Sequence, residues 1–197
     1  NATVVRGLRD AARIATVLGN TADVPYFELM ADRIHSGMDG RLSWGGFNTD
    51  VSLLGLSMPF DVYAADDPRI LQLRERILSD LAEPGDDTIW RYQGDTYWGG
   101  GPWWLATLWT GMYEAEGQDS AAGSVYVDLL KRRIDAVVVK QGPLGLGAEQ
   151  IAPSWGRLYP EFDLQTAWPN VWESMSTLVD AMMMFLDFTP DAPSGSF

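Results

Sequence analysis

One glutamate stands in a setting suited to acid–base chemistry. Glu149 lies in residues 145–151, where two glycines precede it and apolar residues flank it. Flanks of this kind can hold a carboxylate in a defined place. Cleavage of a glycosidic bond needs one carboxyl group that protonates the leaving oxygen and a second that activates water or attacks carbon. Glu149 is our candidate for the second carboxylate, and the sequence does not show its partner.

A tryptophan-rich segment offers a surface for a sugar. Residues 90–109 hold five of the nine tryptophans of the chain. Indole faces present flat apolar area to the C–H face of a sugar ring, and the interleaved Arg91, Asp95 and Thr96 offer hydrogen bonds to its hydroxyls. Glycines 99–101 let the backbone approach a ligand closely. An aromatic core around a loop is the alternative interpretation of the same pattern.

The other acidic residues have simpler explanations. Glu114 and Glu116 end a predicted helix, and Glu161 lies in a loop without glycines nearby. Glu173 falls in the first turn of a predicted helix, where the helix dipole favours a negative charge. These four residues are therefore weaker candidates than Glu149.

Composition excludes several classes of function. Acidic residues outnumber basic ones by 27 to 14, which gives a formal charge of −13 and opposes binding to nucleic acid or to an anionic membrane. The chain has no cysteine, which excludes thiolate metal sites, and its single histidine, His35, is expected to be solvated or to face a helix dipole. We expect no metal and no cofactor. The apolar fraction of 46% suits a globular core.

The periodicity of apolar residues predicts helices connected by loops of unequal length, and no strand pattern of comparable strength is present. Long loops in a compact domain are usually functional, so we expect the site in loops 83–101 and 141–168. The seven predicted helices cover residues 3–18, 22–36, 49–57, 67–81, 102–117, 120–140 and about 171–185.

Several motifs resemble glycoside hydrolase family 15, which includes glucoamylase, glucodextranase and isomaltose glucohydrolase. Residues 91–103 are similar to the family's segment Arg-Tyr-x-x-Asp-Thr-Tyr-Tyr-x-Gly-Asn-Pro-Trp, and residues 148–150 resemble its Ala-Glu-Gln. Trp172 falls where the family has a tryptophan, and residues 50–53 and 66–69 resemble bacterial members. The matches together span nearly the whole chain.

The resemblance implies an all-α fold, an (α/α)₆ barrel of twelve helices. Residues 1–197 would supply the second half of this single catalytic domain, with about seven helices. In the family the general acid is a glutamate in a Trp-Glu motif that precedes the first helix found here. We therefore expect an N-terminal half on a separate chain or fragment, carrying that glutamate.

The resemblance also implies roles for individual residues. Glu149 would be the general base, and Gln150 would orient it. The substrate-binding set would be Arg91, Tyr97, Trp98, Trp103, Gln150 and Trp172. Gly101, Trp98 and residues 173–175 depart from the family pattern, which puts the choice of substrate in doubt more than the type of reaction.

The function implied is an inverting, exo-acting hydrolase that releases glucose from short α-glucosides, with an α-1,6-linked substrate such as isomaltose as one possibility. The alternatives are an α,α-trehalase and a non-catalytic, sugar-binding half of a barrel. The expected partners are the N-terminal fragment and a small carbohydrate, with no nucleic acid and no membrane. The bacterial cytoplasm is the working expectation for location.

Overall fold

The structure, a computed structural model, describes residues 1–42, 48–116, 123–153 and 164–188. Most of these residues are helical. The α-helices are α1 Ala2–Val17, α2 Val24–Leu42, α3 Pro68–Leu81, α4 Trp104–Glu116, α5 Gly123–Val138 and α6 Ser176–Phe185. Two compact units divide the chain, with Asn1–Phe47 and Leu53–Leu73 in the first and Asn48–Ser52 and Arg74–Phe197 in the second.

The predicted helices are confirmed in position, with four differences. Residues 102 and 103, predicted as the start of a helix, form a strand. Helix α2 continues through Gly37 and Gly40 to residue 42, beyond its predicted end at residue 36, and residues 43–47 lie outside the described ones. Residues Val51–Leu56 form a 3₁₀ helix. The last predicted helix begins with a π turn, Val171–Met175, before α6.

A small sheet is the feature that the sequence did not predict. Its strands are β1 Ile89–Trp90, β2 Pro102–Trp103, β3 Gln150–Ile151 and β4 Leu164–Thr166, and all neighbours are antiparallel. Strands of two or three residues are too short to show the alternation that identifies a strand. The all-α prediction is therefore right about the helices and wrong about the segments between them, which form a sheet. The (α/α)₆ barrel stays a prediction.

In the second unit, α4 is the central helix. It packs against α5, α6 and the strands β1 and β2. Trp104, Leu108 and Tyr113 of α4 are buried, together with Leu130 of α5. Part of the tryptophan-rich segment thus belongs to the core of this unit, because Trp104 and Leu108 lie within residues 90–109.

In the first unit, α1 packs against α2. In α1, Val5 and Ala12 are buried, whereas Val4 is exposed, and so is Leu18, which follows the helix. His35 is half-buried, and its ring lies edge-on to Tyr63 at 4.9 Å between centroids. Of the two roles expected for it, full solvation is therefore wrong, and the role facing a helix dipole stays a prediction.

No helix within the described ranges is both long and apolar enough to cross a membrane.

Candidate active site

The sheet joins the two long loops at Glu149. Strand β1 lies in the first loop and β3 in the second, and β2, which directly follows the first loop, pairs with both. In the second of these pairings Trp103 lies opposite Gln150. The Glu149 carbonyl accepts a hydrogen bond from Trp104 N at 3.4 Å, and Glu149 N donates to the Ala167 carbonyl at 3.1 Å. The backbone of Glu149 is therefore held on both sides, while its side chain is half-buried.

Of the two glycines before Glu149, Gly147 serves packing rather than flexibility. Gly147 is buried, and a Cβ atom added there would lie 2.7 Å from the Trp104 ring. Gly147 N also lies 3.3 Å from the Met175 sulfur. A side chain at this position would push the segment away from Trp104, so Gly147 fixes where Glu149 stands.

Arg91 is held by the first loop. Its Nη2 donates to Asp95 Oδ1 at 3.2 Å, and its Nε lies 3.2 Å from Asp95 Oδ2. The same carboxylate accepts hydrogen bonds from the Trp103 indole N–H and from Tyr97 N, both at 3.0 Å. The Asp95 side chain is fully buried, and both of its oxygens accept hydrogen bonds or ion-pair contacts from the protein. It therefore orders Arg91 and Trp103, and the expectation that it hydrogen-bonds a sugar is wrong.

Aromatic rings surround the guanidinium of Arg91. Its Cζ lies 4.0 Å from the Trp103 ring centroid, 4.6 Å from that of Tyr92 and 5.5 Å from that of Tyr97. Tyr97 and Trp103 also contact each other, at 5.7 Å between centroids. The structure thus brings together three of the predicted substrate-binding residues, Arg91, Tyr97 and Trp103. Because Trp103 is 3% exposed and Tyr97 is 40% exposed, Tyr97 has the more accessible ring.

Trp98 and Trp172 are the two exposed indoles of the predicted set. Trp98 is 63% exposed and has a left-handed backbone with φ of +47°. That conformation is strained for a bulky residue and is common at ligand sites. The Trp98 carbonyl accepts a hydrogen bond of 2.6 Å from Gln165 Nε2. Trp172 is 72% exposed on the π turn.

Gln150 is fully buried, unlike these indoles. Its Nε2 lies 3.5 Å from the Gly101 carbonyl, at the limit of a hydrogen bond, and its Oε1 has no hydrogen-bond partner among the described residues. Direct contact with a sugar would require this side chain to move. The Gln150 side chain is placed to support the neighbouring backbone at Gly101.

Glu173 is the residue that sequence reasoning missed. Burial raises the pKa of its carboxyl, the negative charge of Glu149 raises it further, and Arg91 lowers it. The charges of Glu149 and Arg91 therefore both act on Glu173. On sequence alone, the position of Glu173 in the first turn of a predicted helix was enough to explain its negative charge. The signal that could have drawn attention to Glu173 was its departure from the family pattern.

Glu114 has a structural role. It is 1% exposed, and its carboxylate lies 2.9 Å from Arg74 Nη2 and 3.6 Å from Arg133 Nη2. Arg133 is itself buried. Glu161 lies outside the described residues. Among the side chains that are described, no three histidine, aspartate or glutamate residues group as metal ligands.

Sequence comparison finds a partial relative. No protein-family model matches the chain. A protein of Methanocaldococcus jannaschii described as an uncharacterized glycosyl hydrolase is 32% identical over 127 residues, which is 61% of this chain and 20% of that protein. The chain therefore spans about a fifth of this curated relative.

Structural comparison finds glycosidases. A wild-type glycosidase matches 96% of this chain and 52% of its own, with a TM-score of 0.67 and 21% identity. A variant in which a glutamate is replaced by alanine, solved in complex with glucose, matches with a TM-score of 0.69 and 21% identity over 51% of its chain. The chain thus shares its fold with about half of a glycosidase chain.

Proposed function

We propose that this chain is the general-base half of an inverting, exo-acting α-glucoside hydrolase of glycoside hydrolase family 15. An N-terminal half, on another chain or fragment, supplies the general acid. The two halves together are called the assembled enzyme below. The observation that carries the proposal is the junction of the two long loops, where Glu149 is fixed beside the Arg91 cluster in a fold shared with glycosidases.

The chemistry needs two carboxyl groups on opposite sides of the scissile bond. Glu149 takes a proton from a water molecule, and the water oxygen attacks the anomeric carbon. The acid of the N-terminal half protonates the leaving oxygen as the glycosidic bond breaks. Inverting enzymes place their carboxyl groups about 6.5–9.5 Å apart, which leaves room for that water.

The cluster around Arg91 suits the glucose that is released. A guanidinium fixed by a buried carboxylate keeps its geometry when a sugar arrives, so it donates to hydroxyls at low entropic cost. Tyr97, Trp98 and Trp172 add exposed aromatic surface on which a sugar ring can stack. Short α-glucosides, with isomaltose among them, are the substrates that we propose.

The stereochemistry of the product tests this function. Proton NMR of the assembled enzyme acting on isomaltose or maltose should show β-glucose first, with α-glucose appearing only as mutarotation proceeds. Initial release of α-glucose would contradict inversion. Sugar binding without release of any glucose would favour the non-catalytic alternative.

A further inference from the structure

Glu173 is fixed to the segment that carries Glu149. The fully buried Asn170 accepts hydrogen bonds from Glu173 N and Ser174 N through Oδ1, both at 3.1 Å. The hydroxyl of Ser174 donates to the Ala148 carbonyl at 2.6 Å, and Asn170 N donates to the Gly147 carbonyl at 2.9 Å. The π turn and the residues before Glu149 therefore form one connected structure.

The carboxylate of Glu173 is unsatisfied in this position. Its Oε1 is buried and has no hydrogen-bond partner among the described residues. Leaving such an oxygen without a donor is unfavourable, and more so if it is charged. The negative charge of Glu149 raises this cost further, whereas Arg91 reduces it. A ligand hydroxyl would supply the missing donor.

We propose that Glu173 determines sugar specificity, its Oε1 accepting a hydrogen bond from one hydroxyl of the glucose that Arg91 holds beside Glu149. This inference rests on the function proposed above. It assigns the two carboxylates different tasks, because Glu149 moves a proton and Glu173 binds a hydroxyl. The departure at residue 173 from the family pattern then becomes a difference in what the site recognises.

The test is a binding comparison in the assembled enzyme. Tryptophan fluorescence would follow titration with glucose and with the monodeoxyglucoses, for wild type, Glu173→Ala and Glu173→Gln. Loss of a hydrogen bond to a charged acceptor costs about 1.5–3 kcal/mol, so Glu173→Ala should weaken glucose binding roughly 10- to 150-fold. One monodeoxyglucose, lacking the hydroxyl in question, should bind wild type and Glu173→Ala alike.

Matched variants separate this role from a structural one. Asp180→Ala, an exposed acidic residue of α6, should leave glucose affinity unchanged. Glu173→Gln keeps the shape and a neutral acceptor, so it should show a smaller loss with the same selectivity, and it decides the matter if Glu173→Ala does not fold. An equal loss for every monodeoxyglucose, or no loss for glucose, would overturn the proposal. Wild type that binds glucose but releases none would refute the hydrolase function and leave this inference standing.

Discussion

At the residue scale, the sequence identified the cluster but not how its charges are arranged. The motif at residues 91–103 predicted that Arg91, Tyr97 and Trp103 act together, and the structure brings them into contact. The same motif could not show that Asp95 points at Arg91 and Trp103, because the direction of a side chain depends on the turns between them. Glu149 and Glu173 are 24 residues apart, so their mutual influence arises only from folding.

Asp95→Asn tests whether this carboxylate orders the cluster. The amide of asparagine would point N–H donors at groups that are themselves donors, Arg91 and the Trp103 indole. We expect a loss of about 1.5–3 kcal/mol in the free energy of unfolding and a fall in kcat/KM of about 10- to 100-fold. Chemical denaturation and steady-state kinetics of the assembled enzyme measure both quantities.

The control for Asp95→Asn is a partly exposed ion pair. Asp10 lies 2.8 Å from Arg6 on the surface of α1, where such pairs contribute only about 0–1 kcal/mol. Asp10→Asn should therefore change neither stability nor kcat/KM appreciably. If Asp95→Asn also left stability and kcat/KM unchanged, the Asp95 carboxylate would not order the site.

At the element scale, the helices were predictable and the sheet was not. In α3, Ile70, Ile77 and Leu81 recur at helical spacing, and all three are buried as predicted. The two-residue strands carry no such pattern, because their pairing depends on backbone contacts between loops that are distant in sequence. The sheet, which positions Glu149, was therefore the element that the sequence pattern did not predict.

Gly147→Ala tests the packing that fixes Glu149. The added methyl would lie 2.7 Å from the Trp104 ring, and Trp104 is fully buried in α4 and has little freedom to move. Overpacking of this kind costs about 1–3 kcal/mol. We expect that loss of stability together with a fall in kcat, because the segment carrying Glu149 shifts. Thermal unfolding and kinetics would detect the two effects.

Gly7→Ala in α1 is the control for Gly147→Ala, and we expect it to raise stability. A Cβ atom at Gly7 meets nothing within 4 Å, so the change should stabilise the helix by about 0.5–1 kcal/mol. Equal stability and activity of wild type and Gly147→Ala would show that Trp104 does not restrain this segment.

At the scale of the whole molecule, the chain covers about half of the glycosidase chains that share its fold. The proposed reaction requires two carboxyl groups, and Glu149 is proposed as one of them. The resemblance predicts a catalytic domain divided into two halves, and this stays a prediction, whereas composition and periodicity alone indicate only a globular helical chain.

The proposed reaction depends most on Glu149. The kinetics of a Glu149→Gln variant of the assembled enzyme test its role as general base most directly. The variant keeps the size of the side chain but cannot accept a proton from water. We expect kcat to fall by about 10²–10⁴-fold, while glucose affinity measured by tryptophan fluorescence stays within about threefold of wild type. A Glu149→Gln enzyme that hydrolyses its substrate at the wild-type rate would contradict the account.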